Sequence, residues 1–166
     1  LQYQEGAIVS NSPERFFRIE PEADRRWRIL AEPIKGTRPR GADRTSDEAL
    51  AKALIADPKD RAENIMIADL TRNDLSRICR DGSVREEAIC ALLSLARVHH
   101  LVSRVSGVLR DGLDPVDALV ALFPCGSVTG APKVQAMKAI AEMEGVGRGP
   151  YCGAIGYIDD SGAADF

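Results

Sequence analysis

The chain has 166 residues with 45% hydrophobic and 28% charged side chains, a composition that suits one globular domain with a core rather than a disordered segment. Its formal net charge of −3 argues against a nucleic-acid partner, which would require a broad basic surface. Because it has no apolar run long enough to span a membrane and no secretory signal pattern at its start, we expect a cytoplasmic protein.

The first elements predicted are short strands. Residues 7–10 and 15–20 flank the turn sequence of residues 11–13, a pattern that predicts an opening β-hairpin with Glu14 at the exit of the turn. Alternating apolar and charged side chains at residues 27–31 predict a third strand.

That third strand leads into a segment centred on Lys35. Pro33 fixes its own backbone before the lysine, and Gly36 after it can adopt angles that other residues avoid and lets a ligand approach closely. Taken alone, the segment is typical of a strand-to-loop junction with solvated charges. Lys35 is nevertheless the first candidate nucleophile in the chain.

Helices are predicted next, at residues 46–56 after a serine cap and from residue 58 to about residue 80 after the capping carboxylate of Asp57. The second helix carries two adjoining stripes that we expect to be largely buried. The first consists of residues 63, 67, 70 and 74, and the second of residues 62, 65, 66 and 69. By its spacing alone, Glu63 is predicted to form a surface ion pair with Lys59.

Residues 98–109 alternate over a long strand, so the neighbouring His99 and His100 are expected to point to opposite faces. Asp114 caps a short predicted helix that ends at residue 122.

A loop rich in glycine and hydroxyl side chains follows at residues 125–131 and leads into a helix at residues 132–143. Backbone N–H groups at such a helix start attract an anion, but the spacing does not match a nucleotide-binding P-loop. The ligand can therefore be a carboxylate or a phosphate. A strand at residues 151–158 and a turn at residues 159–162 are predicted to follow.

The order of strands, helices and strands, without βαβ alternation, predicts an α+β fold with a largely antiparallel sheet flanked by helices. Six segments in this order resemble the motifs of the chorismate-utilising enzymes: residues 12–16, 33–40, 59–70, 99–103, 126–133 and 151–157. The resemblance implies that residues 1–166 form one partial chorismate-binding catalytic domain of that fold, incomplete at both ends.

Within the family, a lysine at position 35 resembles the branch that forms 4-amino-4-deoxychorismate for para-aminobenzoate and folate, since anthranilate synthases usually carry alanine there. The resemblance implies a transferase that replaces the allylic hydroxyl of chorismate with ammonia. Glu14 would protonate the departing hydroxyl, Lys35 would form a covalent adduct with the ring, and His100 matches the active-site histidine. The ammonia would come from glutamine through an amidotransferase, component II.

The resemblance also implies a Mg²⁺ cofactor, with Glu63 as one of its ligands, which reverses the surface role inferred from spacing alone. Its substrate-contacting positions correspond here to Gly36, Thr37, Ser127, Thr129, Gly130, Ala131 and Tyr151. Cys125 departs from the glycine of many relatives. A substrate-binding arginine and a second Mg²⁺-binding glutamate are expected beyond residue 166, so we expect residues 1–166 alone to be inactive.

Alternatives remain open at this point. The chain can belong to anthranilate synthase component I or another chorismate-utilising enzyme, because a lysine at position 35 can be tolerated without acting as a nucleophile. It can also be a non-catalytic interaction module, for example one that docks a glutaminase subunit.

Overall fold

A seven-stranded sheet lies at the centre of the computed structural model, which describes residues 2–3, 6–22 and 26–166. The strands are β1 (Gln2–Tyr3), β2 (Gly6–Ala7), β3 (Arg15–Pro21), β4 (Trp27–Glu32), β5 (Ile34–Pro39), β6 (Arg85–Ser94), β7 (Val98–Val108), β8 (Tyr157–Ile158) and β9 (Ala164–Asp165). The helices are α1 (Arg44–Ala56), α2 (Pro58–Ser76), α3 (Pro115–Leu122) and α4 (Lys133–Glu144), with a 3-10 turn at Gly126–Val128. Strands β1 and β2 pair separately, and the pairings of the main sheet are antiparallel, which confirms the predicted α+β class.

The long strand β7 holds the sheet together. Strand β6 pairs along one edge of β7, and the other edge is shared by β4, which pairs with residues 105–108, and β5, which pairs with residues 98–102. Pro33 alone separates β4 from β5, and its carbonyl accepts a hydrogen bond from the Ser103 N–H at 3.1 Å. Residues 27–39 therefore run beside β7 as one nearly continuous strand.

Helices α1 and α2 cover one face of this sheet. Leu101 of β7 packs with Leu54 of α1, and Val105 of β7 belongs to the main core with Leu75 of α2. Phe17, Ile19, Ile29 and Ala31 complete that core from β3 and β4. Burial of these apolar side chains is the main force that fixes the two helices against the sheet.

The predicted opening hairpin is wrong in its pairing. Strand β3 pairs with β4 rather than with residues 7–10, and Val9 is 93% exposed. The reason is that alternation in β3 and β4 buries Phe17 beside Ile29, whereas residues 8–10 offer no matching buried face.

Other elements differ in extent from the prediction. The lysine segment forms strand β5 rather than a loop, strand β6 is an addition that the sequence pattern did not predict, and only Tyr157–Ile158 of residues 151–158 is a strand. Helix α1 is capped by Asp43, with Ser46 as the third helical residue of a capping box. Helix α2 ends at Ser76 because the chain turns there to place Cys79 in a β-bridge with Leu109.

The two stripes predicted for α2 differ in burial. Ile67 and Asp74 are buried as expected, but Ile65 and Met66 are 44% and 46% exposed, so the second stripe faces solvent. Asn64, which belonged to neither stripe, is fully buried. Among the described residues, no helix combines the length and apolar character needed to cross a lipid bilayer.

A polar contact connects α1 to the β6–β7 hairpin. His99 is 2% exposed, and its two ring nitrogens lie 3.0 Å from Asp47 Oδ1 and 2.8 Å from Ser94 Oγ. Arg40 donates two hydrogen bonds to the same Asp47 carboxylate, at 2.7 Å each, and holds its pKa well below the usual range. His99 thus has a structural role, because it connects α1 to strands β6 and β7.

We expect the substitution Asp47→Asn to flatten the acid limb of the stability curve. Because the pKa of Asp47 is lowered on folding, its ionised form stabilises the protein above the unfolded pKa of about 3.9, and this contribution is lost as the pH falls from that value through the lower pKa of the folded state. Urea unfolding at a series of pH values measures the effect. The matched control is Asp81→Asn, at a side chain that is 99% exposed. Equal acid slopes for wild type and Asp47→Asn would contradict the expectation.

Candidate functional site

An open cleft of about 880 Å³ brings together several of the residues predicted to act in the site. Its wall is formed by residues 8–16 without Asn11, by parts of residues 123–128, by residues 150–157 and by the end of the chain at 165–166. Glu14, Ser127 and Tyr151 all line it. The sheet edge, the glycine-rich loop and the segment after α4 therefore converge around one space large enough for a small organic acid.

Glu14 is held by contacts that differ between its two carboxylate oxygens. Its Oε1 accepts hydrogen bonds from the Ser127 hydroxyl and, at 3.3 Å, from the Ile34 N–H. Its Oε2 lies 4.0 Å from Nζ of Lys35. Both side chains are partly enclosed, with 21% of Glu14 and 25% of Lys35 exposed. One oxygen is thus anchored, and the other faces the amino group.

Lys35 lies on a β-bulge. Ile34 pairs with Val102 and Thr37 pairs with His100, so Lys35 and Gly36 together oppose Leu101 alone. Gly36 adopts a φ of +89°, and a Cβ added there would lie 2.9 Å from Cβ of Asp60 in α2. Glycine is required at this position by both the backbone angle and the close packing of α2. The ligand approach predicted for Gly36 stays a prediction, since its near neighbour here is the helix.

The bulge also sets the contact of Thr37. Without the extra residue, the register would place Thr37 opposite His99, whereas the observed pairing places it opposite His100. Thr37 Oγ1 lies 2.8 Å from His100 Nδ1, and His100 is 8% exposed. Adjacent residues of a strand face opposite sides, so His99 contacts Asp47 of α1 and His100 contacts Thr37 on the other side. This confirms that the two histidines point in opposite directions.

The glycine-rich loop contributes mainly through its first half. Ser127 reaches Glu14, whereas the Thr129 hydroxyl donates to the Cys125 carbonyl at 3.1 Å, within the loop itself. Gly130 and Ala131 follow, before α4 begins at Lys133. Burial raises the pKa of the Cys125 thiol, and the nearby Glu14 carboxylate adds to that rise, so this thiol stays protonated at neutral pH.

Two cationic side chains near the cleft are already engaged. Arg15 donates hydrogen bonds to Asp165 at 2.9 Å and to Glu32 at 2.5 Å. Burial alone lowers the pKa of Arg15, but these two carboxylates outweigh it and raise the pKa above its usual value. Lys133 forms an ion pair with Asp74 of α2, and both side chains are only about a tenth exposed, at 11% and 10%.

Glu63 lies apart from these contacts, on α2. Its carboxylate is 45% exposed and lies 3.7 Å from Nζ of Lys59, as the spacing of the two residues predicted. In the part of the chain that the structure describes, no three His, Cys, Asp or Glu side chains are grouped to hold a metal ion. An exposed carboxylate suits Mg²⁺, which commonly takes one or two carboxylates and completes its shell with water and substrate. The role predicted for Glu63 as a Mg²⁺ ligand stays a prediction.

Tyr151 is 71% exposed, and the Arg148 guanidinium lies 5.5 Å from the centre of its ring. Its predicted contact with a substrate stays a prediction, as do the other predicted roles.

Asn64 and the Ile34 N–H contact the predicted site residues but were not among the candidates from the sequence. Asn64 donates to the Leu101 carbonyl at 2.9 Å and lies 3.4 Å from the Lys35 carbonyl. One signal was present in the sequence: Asn64 lies one helical turn after Asp60 and one before Ala68, on a line that α2 buries. The sequence carries no signal for the Ile34 N–H, because its hydrogen bond to Glu14 depends on how the fold brings the two segments together.

Comparisons with known proteins agree on one family. The family described as chorismate binding enzyme matches residues 1–166. An aminodeoxychorismate synthase of Streptomyces griseus is 50% identical over 165 residues, which is 99% of this chain and 22% of the relative. An anthranilate synthase component 1 of Methanothermobacter marburgensis is 46% identical over 166 residues, which is 100% of this chain and 35% of the relative.

Among solved structures, anthranilate synthase component I from Streptococcus pneumoniae TIGR4 superposes with a TM-score of 0.76 at 38% identity. The match covers 93% of this chain and 32% of that chain. The present chain thus spans between 22% and 35% of the length of the two sequence relatives named above.

We expect Gly36→Ala to destabilise the protein more than Gly82→Ala does. Both glycines have a positive φ, but a Cβ at Gly82 would meet nothing within 4 Å. Gly82→Ala should therefore cost only the backbone term, about 1–2 kcal/mol, and Gly36→Ala roughly 1–3 kcal/mol more from the clash with Asp60. Urea unfolding of the two variants measures the difference. Equal losses would show that α2 does not pack on the bulge as described.

Proposed function

The chain belongs to the chorismate-binding enzyme family, and from that premise we propose that the protein aminates chorismate to 4-amino-4-deoxychorismate. The observation that carries the proposal is the contact between Lys35 and Glu14, at 4.0 Å inside a partly enclosed site. A lysine beside a carboxylate supplies both a nucleophile and a proton donor for the exchange of a poor leaving group. The similarity to the synthase of Streptomyces griseus supports the same assignment.

One proton transfer converts the Lys35–Glu14 ion pair into a neutral pair. Moving a proton from the lysine ammonium to the glutamate carboxylate gives a neutral amine and a neutral acid, which are the reactive forms. The geometry supports Oε2 of Glu14 as the donor, because Oε1 is occupied by Ser127 and Ile34.

The proposed reaction then has two displacements. The Lys35 amine adds to the ring diene of chorismate as the allylic C–O bond breaks, and Glu14 gives its proton to the departing hydroxyl, which leaves as water. The adduct nitrogen returns a proton to the Glu14 carboxylate. Ammonia then adds to the ring as the bond to Lys35 breaks, and Lys35 leaves as the free amine with a proton from Glu14. The new ammonium nitrogen returns a proton to the Glu14 carboxylate, which restores the neutral pair. Dividing the exchange into two displacements replaces one difficult step by two easier ones.

The remaining residues are proposed to bind and orient the substrate. Ser127 and Tyr151 line the cleft beside Glu14, and His100 with Thr37 forms a second polar pair set by the same bulge. We propose Glu63 as one ligand of Mg²⁺, a hard cation that binds carboxylate groups such as that of the chorismate ring. Ammonia would be supplied by a glutamine amidotransferase, component II.

A second candidate is the formation of anthranilate. It is favoured by the anthranilate synthase component 1 of Methanothermobacter marburgensis, which is 46% identical over this chain. The products distinguish the two reactions, because 4-amino-4-deoxychorismate keeps the enolpyruvyl group and anthranilate formation releases pyruvate. A non-catalytic interaction module would give neither product.

We expect Lys35→Ala in the full-length protein to reduce amination by about a hundredfold or more, the scale for a group that acts directly in the chemistry. The assay supplies chorismate, Mg²⁺ and ammonia, separates the products chromatographically and searches Lys35 for a covalent adduct by mass spectrometry. The matched control is Lys52→Ala, at an exposed lysine of α1.

An unchanged rate for Lys35→Ala would disprove the covalent route. Release of pyruvate by the wild-type protein would instead support the anthranilate reaction.

A further inference from the structure

The bulge that carries Lys35 interrupts the hydrogen-bonded ladder between β5 and β7. Because Lys35 and Gly36 oppose Leu101 alone, the ladder cannot continue through this point in regular register. The carbonyl groups of Lys35 and Leu101 lie next to a side chain instead: Nδ2 of Asn64 is 3.4 Å from the first and 2.9 Å from the second. A buried carbonyl left without a donor would destabilise the bulge.

Asn64 is itself fixed in orientation. Its side chain is fully buried, and its Oδ1 accepts a hydrogen bond from the Ser103 hydroxyl and lies 3.6 Å from the Cys90 thiol. The Ser103 hydroxyl in turn accepts the Cys90 N–H at 3.0 Å. The donor half of the Asn64 amide faces carbonyl groups and its acceptor half faces donors, so a flipped amide would lose both sets of bonds.

Cys90 gives a second sign that this cluster is specifically built. It has a φ of +52°, which costs free energy for a residue with a side chain, and it lies at an irregularity in the pairing of β6 with β7. The irregularities in β5 and β6 therefore flank β7 on both sides, and Asn64, Ser103 and Cys90 connect them. One buried polar cluster thus joins α2 to all three strands.

We infer that Asn64 is a positioning residue for Lys35: its side-chain amide holds the β5 bulge in the conformation that places the lysine amino group opposite Glu14. The same bulge sets the register that brings Thr37 to His100, so Asn64 supports both polar pairs. Only the catalytic consequence of this inference rests on the proposed function. The structural part, that Asn64 controls the environment of Lys35, is independent of it.

Lysine acylation tests the structural part directly. The full-length protein is treated with a limiting amount of an N-hydroxysuccinimide acetate, and modification of each lysine is followed by mass spectrometry. In wild type, Lys35 is expected to react slowly because it is partly enclosed, whereas Lys59, 82% exposed, reacts fast and Lys133, 11% exposed, reacts slowly. These two lysines serve as internal references.

Asn64→Asp keeps the shape of the side chain but removes the N–H donors. We expect acylation of Lys35 to rise about fivefold, the effect of losing a typical hydrogen bond, with Lys59 and Lys133 unchanged. Asn73→Asp makes the same chemical change at an exposed position of α2 and should alter none of the three rates.

Ser103→Ala provides a second variant in case the buried aspartate prevents folding. It leaves the Asn64 amide in place but removes the hydroxyl that orients it, so a smaller rise, about twofold, is expected for Lys35. A folded variant in which Lys35 reacts at the wild-type rate would overturn the inference. An equal rise at Lys133 would overturn it as well, since that result would indicate a general opening of the fold.

The catalytic consequence is measured separately on the same proteins. If Lys35 acts in the reaction, Asn64→Asp should lower kcat for amination by a larger factor than it changes KM for chorismate, because Ser127 and Tyr151 of the cleft do not lie on the bulge. Faster acylation of Lys35 in Asn64→Asp, together with a wild-type protein that forms no amination product, would reject the proposed function and leave the positioning role intact. An Asn64→Asp variant in which Lys35 is acylated at the wild-type rate, together with normal amination by the wild-type protein, would reject the positioning role and leave the proposed function intact.

Discussion

The register between β5 and β7 is the constraint on which the site depends. A sheet allows a side chain only one of two faces, so the position of every residue after a bulge follows from that one irregularity. Here the extra residue lies between Ile34 and Thr37, and it determines both the surroundings of Lys35 and the partner of His100. A glycine makes the required backbone conformation possible, and the packing of α2 on that glycine excludes a larger residue. The chemistry proposed for the cleft therefore begins with a property of the backbone.

The polar groups of the protein are divided between the two sides of β7. On the side of the helices, buried hydrogen bonds connect strands to α1 and α2 through His99 and Asn64. On the other side, Arg104 of β7 bonds to Glu32 of β4 at 2.8 Å, and His100 contacts Thr37. A residue's neighbour in sequence can thus have a different role, as the two adjacent histidines illustrate: one joins α1 to the sheet, and the other belongs to the candidate site.

Much of the fold could be predicted from local patterns, but pairing between distant segments could not. The capping carboxylate of Asp57, the alternation of β7 and the helix after the glycine-rich loop were all readable, because each depends on neighbouring residues. Strand β6 was missed since most of its residues are exposed, which hides the alternation of a half-buried strand. Pro33 and Gly36 are typical loop residues, so the local pattern predicts a strand-to-loop junction where strand β5 lies. The approach of Glu14 to Lys35 was implied only by the family resemblance, since the strand pairing that produces it joins segments that are distant in sequence.

The bulge also bears on how such a site can change during evolution. The backbone at position 35 is held by a side chain from α2, whereas the lysine side chain itself has its polar contact with Glu14 alone among the contacts described above. The fold therefore places few constraints on the side chain at position 35. A substitution at position 35 would thus change the side chain presented by the bulge without rebuilding the sheet.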